Sequence, residues 1–377
     1  MIPKTPSFIK HLKRIQFFTL MPLSLNSRSF FTVSCTYTFW TIITLIFNVL
    51  HHWVPELALQ WDDTGPFSAS LYFLMKIIYS ALPAIYLTTT IRNRFKLERS
   101  TKRLLRVLRM LGMWTYPMHV SCIVFLAFYG IALAGFMLQV IGLFYSKTTE
   151  ILPFIDVVLW HLLAIYIISW SFQFVYTVRT IQECYAKLPQ TIAEELNLYF
   201  HIFHRLIDIS ADTNEFYDIP VSITLTLFLL NFVDYTNVAF SGVQLPLGQQ
   251  LFLYLATISC IAMLTCILSS CHLASAQANC CNDQLLKHLD HTKNPAFQDH
   301  PHLIIHLCAK KDLEFKAFKS FTINYDLGSS MIAAYLTYVI VMFQLDHPPS
   351  TSSLAPDTMD YNSTLPVNSS LTAENII

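Results

Sequence analysis

Seven long apolar stretches, separated by polar and charged segments, dominate the hydrophobicity pattern of the chain. Each stretch is close to the roughly 20 residues that an α-helix needs to cross the hydrocarbon core of a bilayer. The stretches do not alternate between apolar and polar residues, as the strands of a membrane barrel do. The pattern therefore predicts an all-α, multi-pass membrane protein with seven transmembrane helices at about 30–49, 69–86, 118–144, 152–176, 219–240, 251–274 and 327–345.

The composition supports a membrane protein and excludes one class of partner. Of the 377 residues, 54% are hydrophobic and 13% are charged, whereas soluble domains carry about 25% charged residues. The chain has 24 basic and 24 acidic residues, so its formal net charge is zero. Without a basic excess, nucleic-acid binding has no electrostatic basis. The lipid bilayer is therefore the main predicted environment of this chain.

The basic residues indicate how the helices are oriented. The N-terminal segment and the second, fourth and sixth loops contain 22 of the 24 Lys and Arg residues. Because positively charged loops stay in the cytoplasm, we expect a cytoplasmic N-terminus and, after seven spans, an extracellular C-terminus. The N-x-[ST] acceptors Asn362 and Asn368 both lie in the C-terminal tail, where this topology permits glycosylation.

The two terminal segments differ in composition from the helices between them. Residues 1–29 hold scattered charges and a short amphipathic stretch, without the compact apolar region of a signal peptide. Residues 347–377 are rich in Ser, Thr and Pro and contain no Lys or Arg, which is typical of disorder. We therefore expect a cytoplasmic segment (1–29), a seven-helix domain with cytoplasmic helix extensions (30–346) and a disordered extracellular tail (347–377).

No catalytic or metal-binding signature is present. The nine cysteines fall in predicted helices or cytoplasmic loops, so no disulfide framework is expected. The sixth loop is rich in His and Cys but lacks a zinc-ligand pattern, and is more typical of a solvated or intersubunit surface. Nucleophile-elbow, phosphate-loop, dinucleotide-binding and zinc-protease motifs do not occur. We expect no enzyme activity, no cofactor and no metal.

The second predicted loop has the densest concentration of charge. Eight basic residues lie between positions 92 and 109, interspersed with apolar residues that include Leu104 and Leu108. Two interpretations remain open, and they are compatible with each other. In one the segment is a solvated amphipathic helix, and in the other it contacts anionic lipid of the cytoplasmic leaflet.

The last predicted helix carries a recognisable motif. Residues 337–345 read Thr-Tyr, five hydrophobic residues, Gln and Leu. This resembles the signature of insect gustatory receptors, Thr-Tyr, five hydrophobic residues and Gln-Phe, with Leu345 in place of the final Phe. Residues 316–326 look like the amphipathic lead-in to the same helix in that family. A cytoplasmic N-terminus also fits this family and is opposite to that of G-protein-coupled receptors.

The resemblance implies a ligand-gated cation channel that needs no G protein. In that family, four identical or related subunits surround a pore lined by the seventh helix. Position alone makes Gln344 either a pore-lining amide or an interfacial side chain in water. The resemblance implies that Gln344 lines the pore and that Leu345, with Val341 nearby, forms a hydrophobic constriction. The matching motif residues are Thr337, Tyr338, Gln344 and Leu345.

A ligand pocket is expected in the outer half of the helices, where the resembled family binds small-molecule tastants. Ionisable residues inside membrane spans are functional candidates by default. Lys76 could form a pair with Asp156 or Asp234, although a structural ion pair or snorkelling at the interface is the alternative. The candidates are Tyr72, Lys76, Asp156, Trp160, Asp234 and Tyr254.

The sequence therefore indicates a gustatory receptor, which the resemblance places in the plasma membrane of a chemosensory neuron dendrite. Two departures from the family pattern keep an alternative open. One is Leu345, and the other is the tail of 32 residues that follows it. The alternative is a non-channel accessory or trafficking subunit that retains the fold.

Overall fold

The computed structural model describes residues 66–113, 120–145, 151–191, 196–240, 247–292 and 312–346, and four helical positions between 39 and 46. Most of the first predicted helix lies outside these ranges. So do the N-terminal segment and the tail with Asn362 and Asn368. The predicted boundaries of the terminal segments and the two glycosylation sites therefore remain predictions.

Six long helices and one short hairpin make up the described chain. The helices contain the second to seventh predicted spans, which confirms the all-α class; the hairpin is the one sheet among the described residues. A 3₁₀ turn, Leu188–Thr191, continues the third helix. The elements are α1 (Pro66–Met110), α2 (Val120–Tyr145), α3 (Ile151–Lys187), α4 (Leu196–Phe240), α5 (Leu247–Thr292), β1 (Lys316–Ala317), β2 (Phe321–Thr322) and α6 (Tyr325–Asp346).

Three of the helices are far longer than a bilayer is thick. The helices α1 and α4 have 45 residues each and α5 has 46. At 1.5 Å per residue each measures about 68 Å, against a hydrocarbon core of about 30 Å. The last helix, α6, has 22 residues and measures about 33 Å. The long helices therefore continue past the predicted spans, whereas α6 is just long enough to cross.

Membrane-crossing character is clearest in the last three helices. Among the described residues, three stretches are long and apolar enough to cross a membrane: Leu196–Asn237, Leu253–Lys287 and Tyr325–Gln344. Of their most apolar windows, 67%, 28% and 11% of the residues, respectively, are buried inside the chain. The last helix is thus the least covered by its own chain.

The contacts between helices define their relative directions. Tyr79 of α1 is hydrogen-bonded to Asn231 of α4, and Tyr86 of α1 to Thr224 of α4. Residue numbers therefore rise along one helix as they fall along the other. Further along, Ser100 bonds Thr213. The helices α1 and α4 are therefore antiparallel over most of their length, as alternating membrane crossings require.

A second set of contacts shows parallel pairs. Arg179 of α3 donates to Ser270 of α5, and further along Cys281 donates to the carbonyl of Tyr185. The helices α3 and α5 therefore run in the same direction. So do α4 and α6, whose contacts are described below. This arrangement agrees with successive helices that cross in opposite directions.

Many of the most deeply buried side chains lie beyond the predicted spans. They include Leu104 and Val107 of α1, Tyr185 of α3, Tyr199 of α4 and Leu285 of α5, all at most 1% exposed. Outside the bilayer, apolar side chains have water as the alternative environment, so their burial between helices is favourable. The helix extensions thus form a packed bundle that holds the long helices together.

Candidate functional site

The last helix, α6, has one face that contacts the rest of the chain. Gly328, Tyr335 and Met342 lie on this face, seven residues apart. The side chain of Met342 is fully buried. The Tyr335 hydroxyl hydrogen-bonds that of Thr236 on α4 at 2.6 Å. At Gly328, α6 approaches α5 so closely that a Cβ would lie 2.8 Å from Cδ1 of Leu268.

The opposite face of α6 is exposed along its whole length. Its residues recur at intervals of three or four, so they lie in one line along the helix. Most are small or polar, although the helix lies in a predicted span. We call this the α6 stripe, and its residues are Asp326, Ser330, Ala333, Thr337, Val341 and Gln344.

The predicted pore residues are therefore largely brought together. Val341 and Gln344 both lie in the α6 stripe, and Thr337 of the motif lies one turn before Val341. Tyr338 is also exposed but lies to the side of the stripe. Leu345 is within the helix, and its side chain lies outside the described part of the chain.

A hairpin immediately before α6 is held by one face of α4. Asn214, Asp218 and Ser222 lie four residues apart on α4 and accept hydrogen bonds from backbone N–H groups of the hairpin. The donors are Lys316 at 2.8 Å, Lys319 at 3.0 Å and Phe318 at 2.7 Å, respectively. Further along both segments, Thr236 of α4 bonds Tyr335 of α6, so residue numbers rise together from the Asp218–Lys319 contact to this one and α6 is parallel to α4. We call the three α4 residues the hairpin clamp.

The backbone conformation at the tip of the hairpin explains why the hairpin clamp is needed. Phe318 and Lys319 both have positive φ angles, 51° and 58°, which L-residues other than Gly adopt rarely. Phe318 and Lys319 are the two central residues of a turn closed by the bond from the Ser320 N–H to the Ala317 carbonyl, and turns of the I′ type have positive φ at both of these positions. The N–H groups of Phe318 and Lys319 donate to Ser222 and Asp218, respectively. The amphipathic lead-in predicted at 316–326 is thus a strained hairpin followed by the start of α6.

The predicted ligand residues are only partly described. Tyr72 and Lys76 lie in α1, and Asp156 and Trp160 lie in α3, with side chains outside the described part of the chain. Pairing of Lys76 with Asp156 or Asp234 therefore stays a prediction. Tyr254 on α5 is 65% exposed, so the single chain does not place it in the interior of the bundle.

Asp234 lies beside a polar contact between α1 and α4. It is half-buried, one turn beyond Asn231, whose side-chain amide donates to the Tyr79 hydroxyl at 2.7 Å. Tyr86 and Thr224 form a similar contact at 3.0 Å two turns away. The α1–α4 interface in the predicted spans thus contains hydroxyl and amide groups, which are the groups that orient a small polar ligand.

Two features of the site were not predicted. The hairpin clamp was missed because its side chains bind backbone groups about a hundred residues away in sequence. The signal available was the recurrence of Asn, Asp and Ser at four-residue intervals before an apolar run. Asp326 was missed because the predicted span begins at 327, and Ser330 because the recognised motif begins at 337, although both continue the line of Thr337 and Gln344.

Other sequence candidates yield no site in the described regions. Within these regions, no group of three or more His, Cys, Asp or Glu side chains is arranged to hold a metal ion. The six cysteines with described side chains are all free thiols. Most of the His-rich sixth loop, residues 293–311, lies outside the described ranges.

The fold is that of a multi-pass helical membrane protein. The family model described as 7tm Chemosensory receptor matches residues 11–347, nearly the whole chain. This chain therefore belongs to the 7tm chemosensory receptor family. No curated protein matches its sequence.

Solved structures show the same fold. The olfactory receptor OR5 from Machilis hrabei superposes with a TM-score of 0.65 at 14% identity. The same receptor in complex with eugenol superposes with a TM-score of 0.67 at 12% identity. In both cases the match covers 90% of this chain and 98% of the receptor chain. At this identity the likeness concerns the fold.

Proposed function

We propose that this chain is a gustatory receptor subunit that forms a ligand-gated cation channel. Four subunits, identical or related, would surround a central axis, with the α6 stripe of each facing the pore. The topology has a cytoplasmic N-terminus and an extracellular C-terminus in the plasma membrane. Family membership and the fold shared with an insect olfactory receptor support this proposal.

The exposed face of α6 is the observation that carries the proposal. Only 11% of the apolar window in this helix is buried, against 67% for α4, so most of its surface can contact lipid, water or another subunit. Polar side chains that face lipid are costly, whereas the same side chains can line a hydrated path. The α6 stripe is polar at Asp326, Ser330, Thr337 and Gln344. A water-filled pore along an axis shared by several subunits would hydrate all four of these side chains.

Charge along the α6 stripe supports cation conduction. Asp326 is the acidic residue in the first turn of α6, and no basic residue occurs in the last turn. Four copies of the stripe would place a ring of carboxylates at the cytoplasmic mouth, which favours cations. Towards the outer end, Gln344 is the polar lining. Leu345, with Val341 one turn before, is the hydrophobic constriction that closes the pore by dewetting.

The ligand of the proposed channel is a small molecule. Tyr72, Lys76, Asp156, Trp160 and Asp234 remain the proposed pocket residues, and Tyr254 is proposed at a surface shared with another subunit. The existence of a eugenol complex of the related fold supports a ligand of this size. Tighter binding to the open state would shift the population towards open channels.

Cysteine accessibility of the α6 stripe tests this proposal. Cysteine is introduced at Val341 or Gln344, and at Leu336 as the control, because Leu336 is 52% exposed but lies off the stripe. A charged, membrane-impermeant methanethiosulfonate reagent is applied from outside during currents evoked by a tastant panel. We expect block at the two stripe positions and none at Leu336.

The outcomes separate the channel from the accessory subunit. Equal modification at stripe and control positions would place the pore elsewhere. Surface expression without current, alone and together with related receptors, would favour the accessory or trafficking role. Substitution of Gln344 that leaves conductance and ion selectivity unchanged would also contradict its role as pore lining.

A further inference from the structure

One face of the α1 extension presents a line of basic residues. Positions 92, 95, 99, 102, 106 and 109 alternate in steps of three and four, and all six side chains are exposed. Five are basic and the sixth is Phe95, which is 73% exposed. We call this the α1 basic stripe, and its residues are Arg92, Phe95, Arg99, Lys102, Arg106 and Arg109.

The acidic residues of α4 form their ion pairs with basic residues beside this stripe, although Asp212 also attracts Arg99 electrostatically. Asp208 and Asp212 pair with Arg103, and Glu215 pairs with Lys96, both on the flank of α1 that faces α4. Within the stripe, Lys102 pairs with Glu98 one turn earlier. Arg92, Arg99 and Arg106 make no ion pair with any described residue. These three arginines can therefore bind an external anion without first breaking an ion pair to a described residue.

The stripe also contains a concave surface. An open groove of about 420 Å³ is lined by Phe95, Glu98, Arg99, Lys102, Arg103 and Arg106. Four basic side chains therefore border one space. Arg favours bidentate bonds to phosphate, and Lys provides a flexible point charge.

The position of the stripe favours a membrane lipid as the source of the phosphates. It continues the same helix as the second predicted span and begins directly after Ile91, which is exposed and apolar. Side chains of a helix tilt towards its N-terminus, which for α1 is towards the membrane. Exposed Phe95, one turn beyond Ile91, is suited to the interface. The stripe thus lies at the height of lipid headgroups and just beyond them.

The length of the stripe selects a tall headgroup. From Ile91 to Arg99 the helix rises about 12 Å, and to Arg106 about 22 Å. The headgroup layer of one leaflet is only about 5–8 Å thick. A flat phospholipid surface therefore reaches Arg92 and, through its long side chain, Arg99. A lipid whose headgroup projects and carries several phosphates also reaches the groove at Lys102 and Arg106.

We infer that the α1 basic stripe binds the headgroup of a polyphosphorylated inositol lipid in the cytoplasmic leaflet. This rests on the orientation stated under the proposed function, but not on channel activity. A helix-binding protein such as calmodulin fits less well. It grips the apolar face of its target helix, and here that face, with Leu104, Val107 and Leu108, is buried.

The test compares lipid binding by matched variants of the full-length chain in detergent. The probe is dioctanoyl phosphatidylinositol bisphosphate, with binding measured by native mass spectrometry. The stripe variant is Arg99→Gln with Arg106→Gln. The control variant, Lys187→Gln with Lys287→Gln, removes the same charge from exposed positions on α3 and α5. A third variant, Arg99→Lys with Arg106→Lys, keeps the charge.

The stripe variant should bind the probe about 30-fold more weakly than the unmodified chain. This follows because each basic residue near an anionic surface contributes roughly fivefold. The control variant should bind like the unmodified chain, and the Lys variant should retain most of the affinity. Phosphatidylcholine of the same chain length should not bind in any case.

Three results would overturn the inference. Equal loss in the stripe and control variants would mean that charge alone, and not the stripe, attracts the lipid. Inositol trisphosphate that binds as tightly as the lipid probe would identify a soluble polyanion as the ligand. Calcium-dependent capture of calmodulin that Arg99→Gln with Arg106→Gln abolishes, without phosphoinositide binding, would assign the stripe to that protein.

Discussion

At the residue scale, the hairpin clamp shows how single side chains position a functional helix. Phe318 and Lys319 adopt backbone angles that cost free energy for residues with a Cβ. The carboxylate of Asp218 and the hydroxyl of Ser222 accept their N–H groups. Because α6 begins at Tyr325, only a few residues later, the clamp also determines where that helix starts relative to α4.

Loss of the Asp218 side chain should therefore weaken the fold around α6. We expect Asp218→Ala to lower the free energy of unfolding by about 1–3 kcal/mol, the usual cost of leaving a partly buried donor without its acceptor. Asp218→Asn should restore most of it, since the amide oxygen can accept the same bond. The measurement is thermal denaturation of the purified protein, monitored by size-exclusion chromatography.

Asp283 provides the control for this prediction because it is an exposed aspartate on α5. Asp283→Ala should change stability by less than about 0.5 kcal/mol, as surface substitutions usually do. If Asp218→Ala and Asp283→Ala melt at the same temperature, the clamp does not stabilise the hairpin.

At the element scale, the position of α6 depends on close contact with its neighbours. Its buried face bonds α4 through Tyr335 and touches α5 at Gly328. The rings of His272 on α5 and Tyr325 at the start of α6 lie 4.4 Å apart. Since the remaining surface of α6 is uncovered by this chain, these few contacts hold the helix that we propose lines the pore.

A side chain at position 328 should disturb this contact. Gly328→Ala places a methyl group 2.8 Å from Cδ1 of Leu268, so Leu268 or α6 must move. We expect a destabilisation of about 1–3 kcal/mol, the usual cost of overpacking. The measurement is the melting temperature of the purified variant.

A double variant separates a local clash from a general effect. Leu268→Ala removes the opposing atom and should be less harmful in the Gly328→Ala background than alone, which is a favourable coupling. Strictly additive effects would show that Gly328 and Leu268 do not compete for the same space. Gly130 on α2, where a Cβ would meet nothing within 4 Å, is the matched control for Gly→Ala.

At the scale of the whole molecule, the helices form a bundle whose two ends differ in packing. The predicted cytoplasmic extensions bury Tyr185, Tyr199 and Leu285 completely. Nearer the predicted outer side, α6 and Tyr254 remain largely exposed within one chain. This distribution suits a subunit whose extensions are packed within one chain and whose membrane surface is completed by neighbours and lipid.

The predicted topology can be tested on the whole chain. We expect glycosidase treatment to shift the unmodified chain on a gel, and not the Asn362→Gln, Asn368→Gln double variant, because the proposed topology puts the tail outside the cell. An N-terminal epitope should be accessible to antibody only after permeabilisation. Staining of that epitope in intact cells would reverse the orientation and with it the side on which the α1 basic stripe lies.

The predictability of the site differed from residue to residue. Val341 and Gln344 are three residues apart, so helical spacing alone puts them on one face, and the structure exposes both. The shared position of Asn214, Asp218 and Ser222 was visible in the same way, but their partners were not, because those lie 102, 101 and 96 residues away. Helical spacing is a local property of the sequence, whereas the hydrogen-bond partner of a side chain is decided by the fold.

The sequence by itself determined the all-α membrane class and the family. The length of an apolar stretch and a short motif are local features, which can be recognised without knowing the residues that pack against them. The tertiary structure alone decided which face of α6 is left free and which basic residues of α1 are neutralised. Both depend on what α4 and α5 bring alongside. Arg103 forms ion pairs, whereas Arg106 forms none with any described residue, because Asp208 and Asp212 of α4 face only one side of α1.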